Sequence, residues 1–138
     1  VYAVTEAGDL EPVHTDPGDS PLEAIASGPR GLFVAASGVG RVFQIGRDGP
    51  VDVITGRGDH LGGIVFARDG SFAFSNQTDS TVLLVEARHG GARGYLWTLG
   101  RSLGTPGDLG YDAIRGRVLI PDAAGHRLVW VRLDRGDR

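Results

Sequence analysis

With 138 residues, 41% apolar and 22% charged, the chain is large enough for one packed unit and ordinary in polarity. There is no Cys, which excludes disulfides, thiolate metal sites and a Cys nucleophile. The net charge is only −3 and the Arg residues are scattered, so no nucleic-acid partner is expected. No apolar run nears the roughly 18 residues of a spanning helix, so no membrane partner is expected and the compartment stays open.

In chain order, residues 1–4 and 10–13 read as two short apolar strands. Strands at 24–26, 32–35, 41–45 and 51–54 come after them, with Asp48-Gly49 turning the last pair. Those at 63–66, 71–74, 81–86 and 95–99 come next, with Arg68-Asp69-Gly70 turning the first pair. Asp-Gly between apolar runs is a hairpin cue, because glycine accepts the positive φ such turns need. A final group covers 108–111, 117–120 and 127–133. One local cue dissents. Ser20-Pro21-Leu22-Glu23 has the form of a helix capping box with proline in the first turn. The alternative, favoured by the strand repeat, is that Pro21 turns the chain inward to the next strand.

Leu32-Phe33-Val34, Phe72-Ala73-Phe74 and Val118-Leu119-Ile120 begin 40 and then 46 residues apart. Val42-Phe43-Gln44-Ile45, Val82-Leu83-Leu84-Val85 and Leu128-Val129-Trp130-Val131 repeat the same offsets. A period near 40 in units of several short strands is the pattern of a β-propeller, whose blades carry strands A, innermost, to D, outermost. Two strand series sharing their offsets argue against a generic β-sandwich. The expected fold is all-β, a propeller segment of about three four-stranded antiparallel blades. Residues 1–18 would be the outer strands of a partial blade, 19–56 and 57–100 full blades, and 101–138 a blade lacking its outer strand. An open ring leaves edges that invite pairing. The chain is therefore expected to be a piece of a longer ring, with closure by a second copy as the alternative; position 1 not being Met fits the former.

Three stretches carry a family likeness. They are Leu22-Glu23-Ala24-Ile25 with Gly31-Leu32-Phe33-Val34, then Gly40-Arg41-Val42-Phe43-Gln44-Ile45-Gly46-Arg47-Asp48-Gly49, and Pro106-Gly107-Asp108-Leu109-Gly110-Tyr111-Asp112 with Arg117-Val118-Leu119-Ile120-Pro121. In these the chain resembles the gluconolactonase and senescence-marker-protein group of six-bladed propellers, which overlaps with NHL-repeat propellers. The resemblance implies one divalent cation, calcium or zinc, held in the channel by a Glu, an Asn and an Asp, the Asp also serving as base toward a sugar lactone. Oxygen ligands suit a hard cation, which polarises an ester carbonyl while a base activates water. Carried over, Glu23 becomes a metal ligand and Asp108 a metal ligand and catalytic base. Gly62 and Gly107 stand at the positions matching Glu23. Asp108 falls one residue late, level with Gly63 and Ala24, and a one-residue shift turns a side chain to the other face unless a bulge intervenes. The alternatives are a solvated or Arg-paired carboxylate at Glu23 and a backbone-bonding strand-start residue at Asp108.

Other residues have structural readings. Ser37, Asn76 and Asp122 form one column after strand B, where small polar side chains bond the turn backbone. Asn76-Gln77-Thr78 spells a glycosylation acceptor, better explained by chance. His14, His60, His89 and His126 lack helical metal spacing. His60 precedes an inner strand and is the His placed to meet a ligand at a channel mouth, the alternative being an exposed loop residue. Arg57-Gly58-Asp59 and Arg135-Gly136-Asp137 are adhesion-type tripeptides in an Arg-, Gly- and Asp-rich chain. Gly90-Gly91-Ala92-Arg93-Gly94 lacks the Lys-Ser/Thr of a phosphate loop, and no G-x-S-x-G occurs. Trp97 and Trp130 sit at apolar strand positions and are expected to pack between blades.

The expected function is a binding module whose small-molecule or protein ligand sits at the channel mouth, lined by Glu23, His60 and Asp108. A metal-dependent sugar-lactone hydrolase, completed by further blades, is the alternative class. A structural module acting through exposed edge strands is the third.

Overall fold

A computed structural model describes residues 1–13, 20–86, 96–100 and 103–133, and all the regular structure within them is β. Four antiparallel sheets succeed one another along the chain. The first holds β1 (Tyr2–Val4) and β2 (Leu10–Pro12). The second holds β3 (Leu22–Gly28), β4 (Gly31–Ala36), β5 (Arg41–Gly46) and β6 (Gly49–Ile54). The third holds β7 (Leu61–Phe66), β8 (Phe72–Asn76), β9 (Thr81–Val85) and β10 (Leu96–Gly100). The fourth holds β11 (Gly110–Asp112), β12 (Arg117–Asp122) and β13 (Arg127–Arg132). Every strand pairs with its chain neighbour, and the first strands β3, β7 and β11 lie beside one another at the inner edge. This is the β-propeller plan.

Packing explains why Ser20-Pro21-Leu22-Glu23 opens no helix. Leu22 pairs with Ala36 and packs on Val34, Ala36 and Phe43. Burial in a sheet outweighs a capping pattern that helps an isolated helix by only about 1 kcal/mol.

The third sheet is buried on both faces, which is why β8 reads as an apolar run rather than an alternation. Ile64, Phe72, Phe74, Leu83 and Val85 face Phe33, Ala35 and Val42 of the second sheet. On the other side Val65, Ala73 and Val82 meet Val118 and Ile120 of the fourth. At roughly 1.5–3 kcal/mol for each large side chain removed from water, these two seams carry most of the stabilisation.

The turns between second and third strands repeat as well. Gly40, Ser80 and His126 each end such a turn with a positive φ, of 56°, 52° and 48°. Gly40 has a further reason to be glycine, because a Cβ there would run into the carbonyl of Gly58. The loop before β7 threads between two of these turns, with Arg57 N donating to Gly40 O at 3.2 Å.

Candidate functional site

The inner strands carry a recurring irregularity. Leu22 pairs with Ala36 but Ala24 with Ala35, so Glu23 and Ala24 together oppose one residue. Leu61 pairs with Asn76 but Ile64 with Phe74, which sets Gly62 and Gly63 against Ser75. Pro106 bridges Asp122 while Gly110 pairs with Leu119, which sets Gly107 and Asp108 against Pro121. Each is a β-bulge, a device that re-aims a side chain. Because the bulge recurs in all three strands, Asp108 still stands level with Gly63 and Ala24, and Glu23 with Gly62 and Gly107, yet Glu23 and Asp108 both line one cleft.

That cleft measures about 250 Å³ and lies where the three inner strands begin. Glu23, His60 and Asp108 share it with Ser37, Gln77 and the Leu61-Gly62-Gly63 segment. Gly62 and Gly63 make its floor possible. A Cβ on Gly62 would lie 2.5 Å from Ser75 Oγ, and one on Gly63 would overlap the backbone of Asp108 and Leu109. Without side chains here the next blade closes in, with Gly63 N donating to Gly107 O at 3.4 Å and Ser75 Oγ to the same oxygen at 2.8 Å.

His60 is fixed through its backbone. Its N–H donates to Thr78 Oγ1 at 3.2 Å and its carbonyl accepts from Gln77 N at 2.8 Å, leaving the imidazole in the exposed mouth. Asp108 accepts from the N–H of Leu109 at 3.1 Å and is otherwise exposed. Ser37 Oγ is committed to the Leu61 carbonyl at 3.0 Å. The cleft thus offers two carboxylates, an imidazole and the Gln77 amide to a polar guest. Among the described residues no three His, Asp or Glu side chains gather closely enough to hold a metal ion.

The polar column after the second strands differs by one residue from the sequence reading. Ala36 pairs with Arg41, Asn76 with Thr81 and Asp122 with Arg127, so Ala36 shares the column and Ser37 matches Gln77. Ser37 and Gln77 are therefore one repeat position, and both line the cleft. The aligned registers give that signal, where residue type alone had pulled Ser37 into the wrong column. Asn76 and Asp122 do hold the backbone. Asn76 Nδ2 donates to Arg57 O and to Asp79 Oδ2, the latter at 3.0 Å. Asp122 accepts from Gly104 N at 2.8 Å, Thr105 N at 2.9 Å, Gly125 N at 3.2 Å and Arg127 Nε at 2.9 Å. The Thr105 and Gly104 amides foremost, then Arg127 and Gly125, outweigh burial and hold its carboxyl well below the usual carboxylate range.

The Arg57-Gly58-Asp59 tripeptide is bound into the loop before β7, where Asp59 N donates to Thr78 Oγ1 at 3.1 Å. His126 serves a turn. His14, His89, Gly90 to Gly94, the Trp97 side chain and Arg135-Gly136-Asp137 lie outside the described residues.

No family model and no curated protein matches the sequence. Solved structures do match the fold. The virginiamycin B lyase of Staphylococcus aureus superposes with a TM-score of 0.65 at 15% identity, over 95% of this chain and 47% of that one. A Bacteroides fragilis protein assigned as a 6-phosphogluconolactonase superposes with a TM-score of 0.54 at 17% identity, over 88% of this chain and 43% of that one. The chain spans about half the length of either structure. At such identities the likeness establishes the propeller fold alone.

Proposed function

We propose that the chain is a propeller ligand-binding module whose guest, a small polyhydroxylated acid or its lactone, sits in the cleft between the inner-strand starts. The observation that supports this most is the convergence on one cleft of Glu23 in β3, His60 just before β7 and Asp108 just before β11. Carboxylates accept from the hydroxyls of such a guest, while His60 and Gln77 offer donors to its oxygens. The test is amide chemical-shift mapping with gluconate and glucono-lactone, each with and without calcium. Shifts should concentrate at Glu23, Gly62, Gly63 and Gln77. Loss of a charged hydrogen-bonding group costs about 1.5–3 kcal/mol, so Glu23→Ala and Asp108→Ala should each weaken binding about tenfold or more. Shifts spread over the surface, or variants that bind like wild type, would remove the cleft from the reading.

A second reading is hydrolysis of a sugar lactone, with a divalent cation at Glu23 and Asp108 and Asp108 as base. It draws support from the 6-phosphogluconolactonase assignment of one structural neighbour and from the paired carboxylates. Calcium- or zinc-dependent lactone opening abolished by Asp108→Asn would favour it over binding alone.

A further inference from the structure

Where β7 and β11 end, away from the cleft, the third and fourth sheets part around a second cavity of about 540 Å³. Leu61 lines the cleft and Ala67 this cavity, so at a strand rise of about 3.3 Å per residue the two lie about 20 Å apart. The neighbouring seam shows why space is left here. In that seam rings fill the corresponding region, Phe66 lying 4.7 Å from Phe33 and 5.3 Å from Phe72 between centroids. Register puts Ala73 in the place of Phe33, Val118 in that of Phe72 and Tyr111 in that of Phe66. Two ring positions thus carry smaller side chains, and room opens beside Tyr111 and Leu84.

The lining joins apolar surface to charge of both signs. Ile114 and Leu133 supply the apolar part together with Leu84. Ile114 is 88% exposed, on a turn whose backbone Asp112 already holds by accepting from Ile114 N and Arg115 N, each at 3.1 Å. The turn does not need that side chain, which offers its surface to a guest. Arg68 makes no ion pair among the described residues. Asp69 is engaged in its own turn, accepting from Ser71 N at 2.9 Å and Ser71 Oγ at 3.0 Å. Glu86 follows the Phe72–Val85 pair and so stands across from Ser71. A carboxylate has about four acceptor positions, so Glu86 has capacity for a further donor beside the contact it already makes.

We propose that this cavity binds a zwitterion with an apolar side chain, a leucine-type α-amino acid. Its carboxylate pairs with Arg68, its ammonium with Glu86, and its side chain lies against Ile114 and Leu133. A guest with only a negative charge would meet the carboxylates of Asp69 and Glu86. One with only a positive charge would bring a like charge to Arg68 and leave that guanidinium unpaired. A guest carrying both charges answers each group, and the apolar lining accounts for the rest of it.

Amide chemical-shift titration of the whole chain with leucine, isocaproate and isoamylamine tests this. Leucine should move the amides of Arg68, Ser71, Ala113 and Ile114 while those of Gly62, Gly63 and Gln77 in the cleft stay in place. Isocaproate lacks the ammonium and isoamylamine the carboxylate, so each should bind about tenfold more weakly or worse. Arg68→Ala and Glu86→Gln should weaken leucine by a similar factor. Arg68 is exposed on a turn, so its variant should keep the fold, which circular dichroism checks. Leucine shifts absent from these four amides, an analogue that binds as tightly as leucine, or an Arg68→Ala chain that binds like wild type would overturn the proposal.

Discussion

The two seams on either side of the third sheet use equivalent repeat positions and fill them differently. Between the second and third sheets, Phe72 lies 5.6 Å from Phe33, 5.3 Å from Phe66 and 6.3 Å from Phe74 between ring centroids. Gly28 makes room for this stack, since a Cβ there would lie 2.6 Å from the Phe66 ring. Between the third and fourth sheets, Val118 takes the place of Phe72, Ile120 that of Phe74, and Ala73 faces them. There glycine is used at Gly63 to let backbone meet backbone. One seam therefore spends its glycine on ring volume and the other on close approach. The cleft spans the inner ends of both seams, since Glu23 and Ser37 reach it from the second sheet's blade and Asp108 from the loop before β11.

The sharpest way to break this comparison is to truncate the same repeat position in both seams. Phe72→Ala empties the centre of an aromatic stack and should cost about 3–5 kcal/mol. Val118→Ala removes two carbons at about 0.8 kcal/mol each plus part of a cavity term, about 2 kcal/mol in all. Urea midpoints of the two variants measure the difference. Equal losses would mean that ring stacking adds nothing to the first seam.

A smaller effect separates the two polar anchors. Asn76 and Asp122 hold matching loops, yet only Asp122 titrates. Its folded-state pKa is depressed, so its stabilisation is present above the unfolded carboxylate value of about 3.9. That stabilisation fades as pH falls from there toward the lower folded-state value. Asp122→Asn should therefore be less stable than wild type at pH 7, and the gap should narrow at pH 3. Denaturant midpoints at the two pH values, with Asn76→Ala as a control whose deficit tracks no such proton, read it directly. A gap that is the same at both would show that the carboxylate's charge is not what its four donors hold.

Much of this was legible in the sequence because strand and turn chemistry recurs with the repeat. The apolar trios at Leu32, Phe72 and Val118 give the period, and Asp-Gly turns at Asp48 and Asp69 mark hairpins that form. What was not legible is register. A β-bulge has no side-chain signature of its own, so nothing in the sequence shows that Glu23 and Asp108, one residue apart in the repeat, fall within equivalent bulges. The same one-residue sensitivity put Ser37 beside Asn76, since a small polar residue looks at home in a polar column that Ala36 in fact fills. Glu23, His60 and Asp108 were each visible as candidates. Their meeting at one channel mouth was expected too, because the blades follow one another in chain order, whereas the contributions of Ser37 and Gln77 depend on register and were not.

The finest test concerns two glycines, Gly63 in the cleft lining and Gly107 of the next blade. A Cβ on Gly63 would overlap the backbone of Asp108 and Leu109, which cannot rotate away, so Gly63→Ala has to push the third and fourth sheets apart. Strain of that kind costs about 1–3 kcal/mol. At Gly107 the nearest atom to a Cβ is Pro121 O at 4.0 Å, and Gly107→Ala should change stability by no more than about 0.5 kcal/mol. The pair also separates stability from site geometry. Gly63→Ala should move the amide resonances of Asp108 and Leu109 and lower any affinity measured at the cleft, while Gly107→Ala should leave both near wild type. If Gly63→Ala is as stable as wild type with unmoved resonances, backbone contact at Gly63 does not place Asp108, and the bulge alone has to account for its position.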